Sequence, residues 1–126
     1  MRINEIENEL PNGFHDSIIK RINIDYISKT TEITIDVYIK PGILKTGILH
    51  LIGLSFISID PPETGYPYLD NKGLWISGCD SLTHELRNKI PQDLKDSDFT
   101  YYFFINEWNA FVIFAASDAQ FEWDKE

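Results

Sequence analysis

Glu32-Ile33-Thr34-Ile35-Asp36-Val37-Tyr38-Ile39-Lys40 decides the fold of this 126-residue chain. The stretch alternates apolar with polar side chains, which is the period of a β-strand that buries one face. The preceding stretch, Ser17–Ile27, alternates in the same way, and the polar turn 28–31 separates the two. Two strands that each have one solvent-exposed face and are joined by a short turn predict an antiparallel β-hairpin.

The later strands are predicted to be apolar on both faces. Phe99–Ile105 and Ala110–Ser117 form a hairpin through a four-residue connection. Large apolar faces rarely stay uncovered, so we expect a short helix, the loop 61–73 or a second protein chain to cover them. Further strands are predicted at Ile48–Asp60, where Gly53 suits a bulge, and at Leu74–Ser77 and Gln120–Trp123.

Two short helices complete the predicted fold. Ile3–Leu10 carries apolar residues three and four apart and ends at Pro11, and Ser81–Ile90 has a capping residue and a following proline. The sequence therefore predicts a mainly β protein, or α+β. Its core is a single antiparallel sheet or a β-sandwich-like arrangement of five to seven strands with one or two short helices. The length predicts one domain over residues 1–126.

Charge and composition limit the classes of partner. The formal net charge is −9, which repels phosphate backbones and steers a cationic partner inward. The single cysteine, Cys79, permits no intramolecular disulfide, and the opening residues carry no apolar signal segment. The most apolar stretch, Ile48–Ile59, is too short and too polar to span a bilayer. We expect a cytoplasmic protein that binds neither nucleic acid nor membrane.

The segment Leu10–Asp16 places rare residue types at the start of the first strand. Its Pro-Asn-Gly turn delivers Phe14, His15 and Asp16 together to the edge of the sheet. An adjacent His-Asp pair suits a metal phosphohydrolase, a general acid–base pair, or a side chain that bonds the backbone where the chain enters the sheet. Neighbours on a strand point to opposite faces, so we expect no catalytic residue here.

Metal and cofactor chemistry find little support. His15, His50 and His84 share no ligand spacing, and Cys79 with His84 supplies only half of a structural zinc site. The acidic run 93–98 lacks the glycine and glutamate of a calcium loop. We expect no metal and no cofactor.

Aromatic side chains give the better binding hypothesis. Tyr66, Tyr68 and Trp75 flank the long loop, and Trp108 lies between two asparagines at a hairpin tip. Tyrosine and tryptophan in partly polar settings are typical of protein-binding hot spots. The alternative is that these rings only cover the open face of the sheet.

The stretch Leu10–Ser17, with its Phe-His-Asp-Ser core, resembles the opening of a group of small bacterial proteins. These have Leu…Phe/Leu-His-Asp-Ala/Ser, then a hairpin such as Ile22–Val37, and end in an apolar hairpin and a Phe-x-Trp tail, here Phe121-Glu122-Trp123. Many members are uncharacterised, and some resemble immunity proteins of polymorphic toxin systems. The resemblance implies that the chain binds and neutralises a cognate toxin, and it transfers no catalytic residue.

The expected function is that of a non-enzymatic binding protein, in its sharper form an immunity protein for a cationic bacterial toxin. Phe14, His15, Asp16, Tyr66, Tyr68, Trp75 and Trp108 are the predicted binding residues. The alternative is a small-molecule binding module or weak hydrolase with its site near His15 and Asp16. A homodimer through an apolar interface over the last hairpin is a third expectation.

Overall fold

The computed structural model describes residues 1–65, 73–82, 84–94 and 98–124. These residues contain six β-strands, one α-helix and two 3₁₀ helices, which confirms the mainly β prediction. The elements are α1 (Ile3–Glu9), β1 (Ile18–Asp25), β2 (Thr30–Lys40), β3 (Ile43–Ile59), β4 (Leu74–Ser81), β5 (Phe99–Ile105) and β6 (Ala110–Trp123), with 3₁₀ helices at His84–Lys89 and Asn106–Trp108.

The six strands form one antiparallel sheet that closes into a barrel in the order β1-β2-β3-β6-β5-β4. The β3–β6 pair is long and reaches from Gly47 opposite Trp123 to Ile59 opposite Val112. Among the described residues, the β1–β4 pair covers two residues of each strand, Ile18–Ile19 and Leu74–Trp75. We call this short pair the β1–β4 seam.

The alternation seen in the sequence gives the barrel its interior. Ile33, Ile35 and Val37 of β2 are fully buried, and the alternate residues of β5 from Phe99 to Ile105 are buried as well. Burial of a large apolar side chain stabilises a fold by about 1.5–3 kcal/mol. The inward faces of the predicted strands therefore supply most of the core.

Helix α1 packs at an opening of the barrel. It begins at Ile3, as predicted, and it ends at Glu9, two residues before Pro11. Ile3 and Ile6 are buried within the same core as the inward-facing strand residues. The backbone N–H of Ala119 in β6 donates to the carbonyl of Met1 at 2.8 Å, which fixes the start of the helix against the sheet.

Several predicted elements differ in extent from the structure. The predicted strands Ala110–Ser117 and Gln120–Trp123 are one continuous strand, because β3 is long enough to pair with all of it. Strand β4 continues through Gly78 to Ser81, which pairs with Tyr101. The predicted helix Ser81–Ile90 is therefore shortened to the 3₁₀ helix His84–Lys89.

The chain itself covers part of the outer face of the last hairpin. Phe104 and Phe111 pack together there with ring centroids 4.9 Å apart. The ammonium of Lys89, at the end of the first 3₁₀ helix, lies 4.6 Å from the centre of the Phe111 ring. Within the described ranges, no helix is long and apolar enough to cross a membrane.

Candidate functional site

Phe14 is a core residue. Its side chain is fully buried, and its ring makes edge-to-face contacts with Phe103 and Phe121 at centroid distances of 5.7 and 6.1 Å. The turn 10–16 thus anchors its own aromatic side chain inside the barrel. A partner does not reach this ring without opening the core, so Phe14 holds the turn in place rather than presenting a contact surface.

His15 and Asp16 lie outside the barrel and contact each other. His15 Nδ1 is 3.2 Å from a carboxylate oxygen of Asp16, and both side chains are about half exposed. Asp16 has a φ of 64° and precedes β1, so the two residues are not neighbours on an extended strand. The prediction that their side chains point to opposite faces is therefore wrong, because the left-handed turn brings them to the same side.

Trp75 lies next to this pair at the β1–β4 seam. The N–H of Asp16 donates to the carbonyl of Ile76 at 2.9 Å, and Trp75 is 42% exposed. The N–H of Trp75 in turn donates to a carboxylate oxygen of Glu107 at 2.9 Å. We call His15, Asp16, Trp75 and Glu107 the seam cluster.

The predicted residue Trp108 remains outside this cluster, and one acidic residue joins it unforeseen. Trp108 is half-buried and packs against the core, and its carbonyl accepts from the N–H of Glu63 at 3.1 Å. Tyr66 and Tyr68 lie outside the described residues. Glu107 was not predicted, since no local pattern in the sequence indicates which strand end a hairpin carboxylate will meet.

The seam cluster suits polar contact with a partner better than proton transfer. Water screens an ion pair whose members are half exposed, and such pairs stabilise a fold by about 0–1 kcal/mol. General acid–base catalysis needs a group held within hydrogen-bonding reach of a substrate. Neither of the two cavities described below is lined by His15 or Asp16.

A larger surface feature lies at the tip of the first hairpin. An open groove of about 840 Å³ runs between the β1–β2 turn, the middle of β3 and the residues Asp93, Leu94 and Asp98. Tyr26 and Ile27 at its rim are 87% and 88% exposed. The remaining apolar lining comes from Ile24, Leu54, Phe56, Ile57 and Leu94.

The turn that carries Tyr26 and Ile27 is held by its own hydrogen bonds. One carboxylate oxygen of Asp25 accepts hydrogen bonds from the N–H groups of Ile27 and Ser28 at 3.1 and 3.2 Å. These bonds lower the pKa of the Asp25 carboxyl, and the bond from Ser28 has the larger effect. The carbonyl of Lys29 accepts from the N–H of Leu54 at 2.8 Å, which ties the turn to β3. The two apolar side chains are thus presented from an ordered turn.

The sequence prediction missed this groove. It placed Tyr26 and Ile27 at the end of the first strand, where alternation assigns one to each face. The available signal was two adjacent large apolar residues directly before a polar turn.

An ion-pair row crosses the outer face of the sheet. His50 Nε2 lies 2.9 Å from Glu122, and His50 Nδ1 lies 3.6 Å from Glu32. These residues border a second cavity of about 300 Å³. Among the residues that the structure describes, no group of three or more His, Cys, Asp or Glu side chains is arranged to hold a metal ion.

Cys79 is held as a thiol inside the barrel opening. Its Sγ donates to Glu7 Oε1 at 3.3 Å, and the hydroxyl of Tyr101 donates to Glu7 Oε2. Burial, followed by the nearby Glu7 carboxylate, raises the pKa of Cys79 to about 12, and burial together with the hydrogen bond to Glu7 also raises the pKa of Tyr101. Since the thiolate is the nucleophile, Cys79 is poorly suited to covalent catalysis.

Comparisons with known proteins add information on the fold. No known family and no curated protein matches the chain. A crystal structure of an uncharacterized protein from Neisseria gonorrhoeae is similar, with a TM-score of 0.54 at 12% sequence identity. The match covers 86% of this chain and 91% of that one. At this identity the similarity shows a shared fold alone.

Proposed function

We propose that this protein is a non-enzymatic binding protein whose partner is a basic protein, and that the groove is its main contact surface. The observation that carries the proposal is the near-complete exposure of Tyr26 and Ile27 at the rim of the groove. Large apolar side chains that are grouped and exposed mark interaction sites on soluble proteins. A tyrosine beside an aliphatic pocket also matches the composition of binding hot spots.

Charge indicates the chemistry of the partner. Among the described residues, Asp93 and Asp98 line the groove together with one cationic residue, Lys29. The whole chain carries a net charge of −9. Complementary charge steers association and suppresses wrong partners, so a partner with basic residues around an apolar contact fits this surface.

An immunity protein for a cationic toxin is the specific form of this proposal. Its support is the resemblance of Leu10–Ser17 to small bacterial proteins that include immunity-like members, together with the acidic charge. Neutralisation by direct binding needs affinity and occlusion but no chemistry. The half-exposed seam cluster and the protonated Cys79 are compatible with such a role.

Co-expression with the product of the gene immediately upstream tests this function. We expect that product to be toxic alone, and to be harmless and co-purify when this protein is present. Replacement of both rim residues, Tyr26→Ser and Ile27→Ser, should weaken the complex at least about tenfold. Ile43→Ser is the matched control, because Ile43 is 49% exposed near the other hairpin turn and does not line the groove.

The opposite results would contradict the proposal. If the product of the upstream gene is harmless alone and forms no complex with this protein, the proposal of an immunity protein is contradicted. A complex that tolerates the double rim variant as well as Ile43→Ser removes the groove as the contact surface.

The small-molecule alternative has one observation in its favour: the half-exposed His15–Asp16 pair is tied through the backbone of Asp16 to Ile76, the neighbour of the exposed Trp75. His15→Ala separates the two functions. A protein that binds through the groove tolerates this change, whereas a ligand site or hydrolase at the seam cluster loses its ligand affinity or rate. A small-ligand screen by calorimetry with wild type and His15→Ala measures the difference.

A further inference from the structure

The β1–β2 turn and the groove beside it form an apolar projection next to an apolar recess. Tyr26 and Ile27 project from the turn and are the most exposed large apolar side chains that the structure describes. The floor of the groove includes Leu54, Phe56 and Ile57 of β3, whose side chains are only partly exposed. One molecule therefore carries both halves of an apolar contact side by side.

The projection is ordered by its own hydrogen bonds. The carboxylate of Asp25 accepts from the N–H groups of Ile27 and Ser28, and the carbonyl of Lys29 accepts from the N–H of Leu54. Side chains presented from an ordered backbone lose less conformational freedom on association than those of a mobile loop. The turn is thus suited to enter a recess without rearranging.

A projection beside a recess is complementary to itself. A two-fold axis between them brings the projection of each copy into the recess of the other, so the same contact forms twice. The charges follow the same rule, because Lys29 belongs to the turn whereas Asp93 and Asp98 belong to another wall of the groove. In such a pair Lys29 of each copy meets the acidic wall of the other, so opposite charges accompany the apolar contact.

We propose that a second copy of this chain occupies the groove, in a two-fold dimer in which Tyr26 and Ile27 of each copy insert into the groove of the other. The occupant is a second copy because both the apolar side chains and the charges match in this arrangement. The contact is small and each copy carries a net charge of −9, so the dimer is weak and forms reversibly at micromolar or higher concentration. This places the dimer contact at the first hairpin, whereas the sequence predicted it over the last one.

The dimer also regulates access to the groove, and this consequence rests on the proposed function. Each groove of the dimer is filled by the turn of the other copy, so dimerisation and binding of the basic partner exclude each other. The dimer covers the exposed apolar pair while the partner is absent, and the partner dissociates the dimer when it binds. The complex with the product of the upstream gene should therefore contain one copy of this protein.

A charge exchange tests the dimer without the partner. Lys29→Glu and Asp93→Lys change exposed positions on the two walls, and each places like charges across both contacts. A surface charge contact changes an association constant by about 1.4- to 5-fold, so two such contacts should weaken the dimer by about 2- to 25-fold. An equal mixture of the two variants restores opposite charges and should dimerise at least about threefold more tightly than either variant alone. Sedimentation velocity at about 0.15 M ionic strength, where repulsion is screened beyond about 8 Å, measures each constant.

Controls separate the groove from general charge effects. Lys40→Glu and Glu9→Lys make the same changes at exposed positions that do not line the groove, so they and their mixture should dimerise like the wild type. Circular dichroism shows whether each variant is folded. In methyl NMR of the wild type, the signals of Ile27 and Ile57 should shift with protein concentration, and that of Ile43, at the other hairpin turn, should not.

Three results would overturn the dimer: a wild-type protein that stays monomeric up to about 1 mM, equal effects of Lys29→Glu and Lys40→Glu, and a mixture of Lys29→Glu with Asp93→Lys that dimerises no better than its components. A partner complex that contains two copies joined through the groove would overturn the regulation. The dimer measurements use this protein alone, so a harmless upstream product contradicts the proposed function but not the dimer. A monomeric protein, conversely, still offers its groove to a basic partner.

Discussion

The hydroxyl of Tyr101, whose side chain is fully buried in the barrel, donates a hydrogen bond to the carboxylate of Glu7 on α1. The other oxygen of the same carboxylate accepts from the thiol of Cys79. Tyr101 and Cys79 belong to neighbouring strands, β5 and β4, so one side chain ties the N-terminal helix to both. The helix is therefore held by a polar contact in addition to the burial of Ile3 and Ile6.

Removal of the Glu7 carboxylate should destabilise the fold. Glu7→Ala leaves the buried Tyr101 hydroxyl without its acceptor, and an unsatisfied buried polar group costs about 1–3 kcal/mol. Chemical denaturation measures the change in the free energy of unfolding. Glu9→Ala, at an exposed position of the same helix, should cost less than about 0.5 kcal/mol.

A double-mutant cycle with Tyr101→Phe isolates the contact itself. The two changes should couple by about 0.5–3 kcal/mol, because each alone already breaks the hydrogen bond. Equal effects of Glu7→Ala and Glu9→Ala, with no coupling to Tyr101→Phe, would show that the contact contributes nothing.

Cys79 should react slowly with iodoacetamide. Burial and the Glu7 carboxylate raise the pKa of its thiol from 9.0 to about 12, which lowers the thiolate fraction near neutral pH by about a thousandfold. The alkylation rate should therefore keep rising about tenfold per pH unit between pH 8 and about 10. Glu7→Gln should accelerate the reaction, since it removes the negative charge beside the sulfur. A rate that levels off between about pH 9 and 10, as that of a thiol with the ordinary pKa of 9.0 does, contradicts the assignment.

Gly53 should not tolerate a side chain. Its φ is +65°, and an added Cβ would lie 2.1 Å from the hydroxyl oxygen of Ser117. Gly42 is the matched control, because its φ is also positive, +77°, but nothing lies within 4 Å of an added Cβ. Gly42→Ala should lower the free energy of unfolding by about 1 kcal/mol through backbone strain. Gly53→Ala should lower it by more, and thermal unfolding of the two variants measures the difference. Equal losses would mean that strand β3 moves freely away from Ser117.

Asp25 should make the protein sensitive to acid. The N–H groups of Ser28 and Ile27 lower the pKa of this carboxyl in the folded protein below its ordinary value of 3.8. A depressed folded-state pKa gives stability that is present above the ordinary value and is lost as the pH falls through the depressed one. Asp25→Asn should therefore lower Tm at pH 7 and flatten its decline below about pH 4. The control Glu9→Gln removes the same charge from α1, and an equal flattening in that variant would refute the role of Asp25.

Residues with a simple alternation were predictable from the sequence. Ile33, Ile35 and Val37 were expected on one face of β2, and all three are buried in the barrel. A bulge in this strand was also foreseen, but it was predicted at Gly53, whereas the register with β6 shifts between Leu54 and Phe56. In each case the physical signal is local, either a period of two or a residue without a side chain.

Contacts made at long range were not predictable. The seam depends on Ile18 and Ile19 meeting Leu74 and Trp75, and nothing in either short segment specifies the other. The link from Glu7 to Tyr101 spans 94 residues and looks in the sequence like one of three solvent-facing glutamates. The seam cluster was found only in part for the same reason, since Glu107 reaches it through tertiary folding.

The position of β6 in the sheet has a consequence for synthesis on the ribosome. This strand emerges last among the six, yet it lies between β3 and β5 and bonds Met1 through Ala119. The apolar faces of β2 and β3 in the nascent chain therefore remain uncovered by β6 until that strand has left the exit tunnel. Such exposed strands aggregate readily, so we expect the growing chain to depend on chaperones that bind during translation.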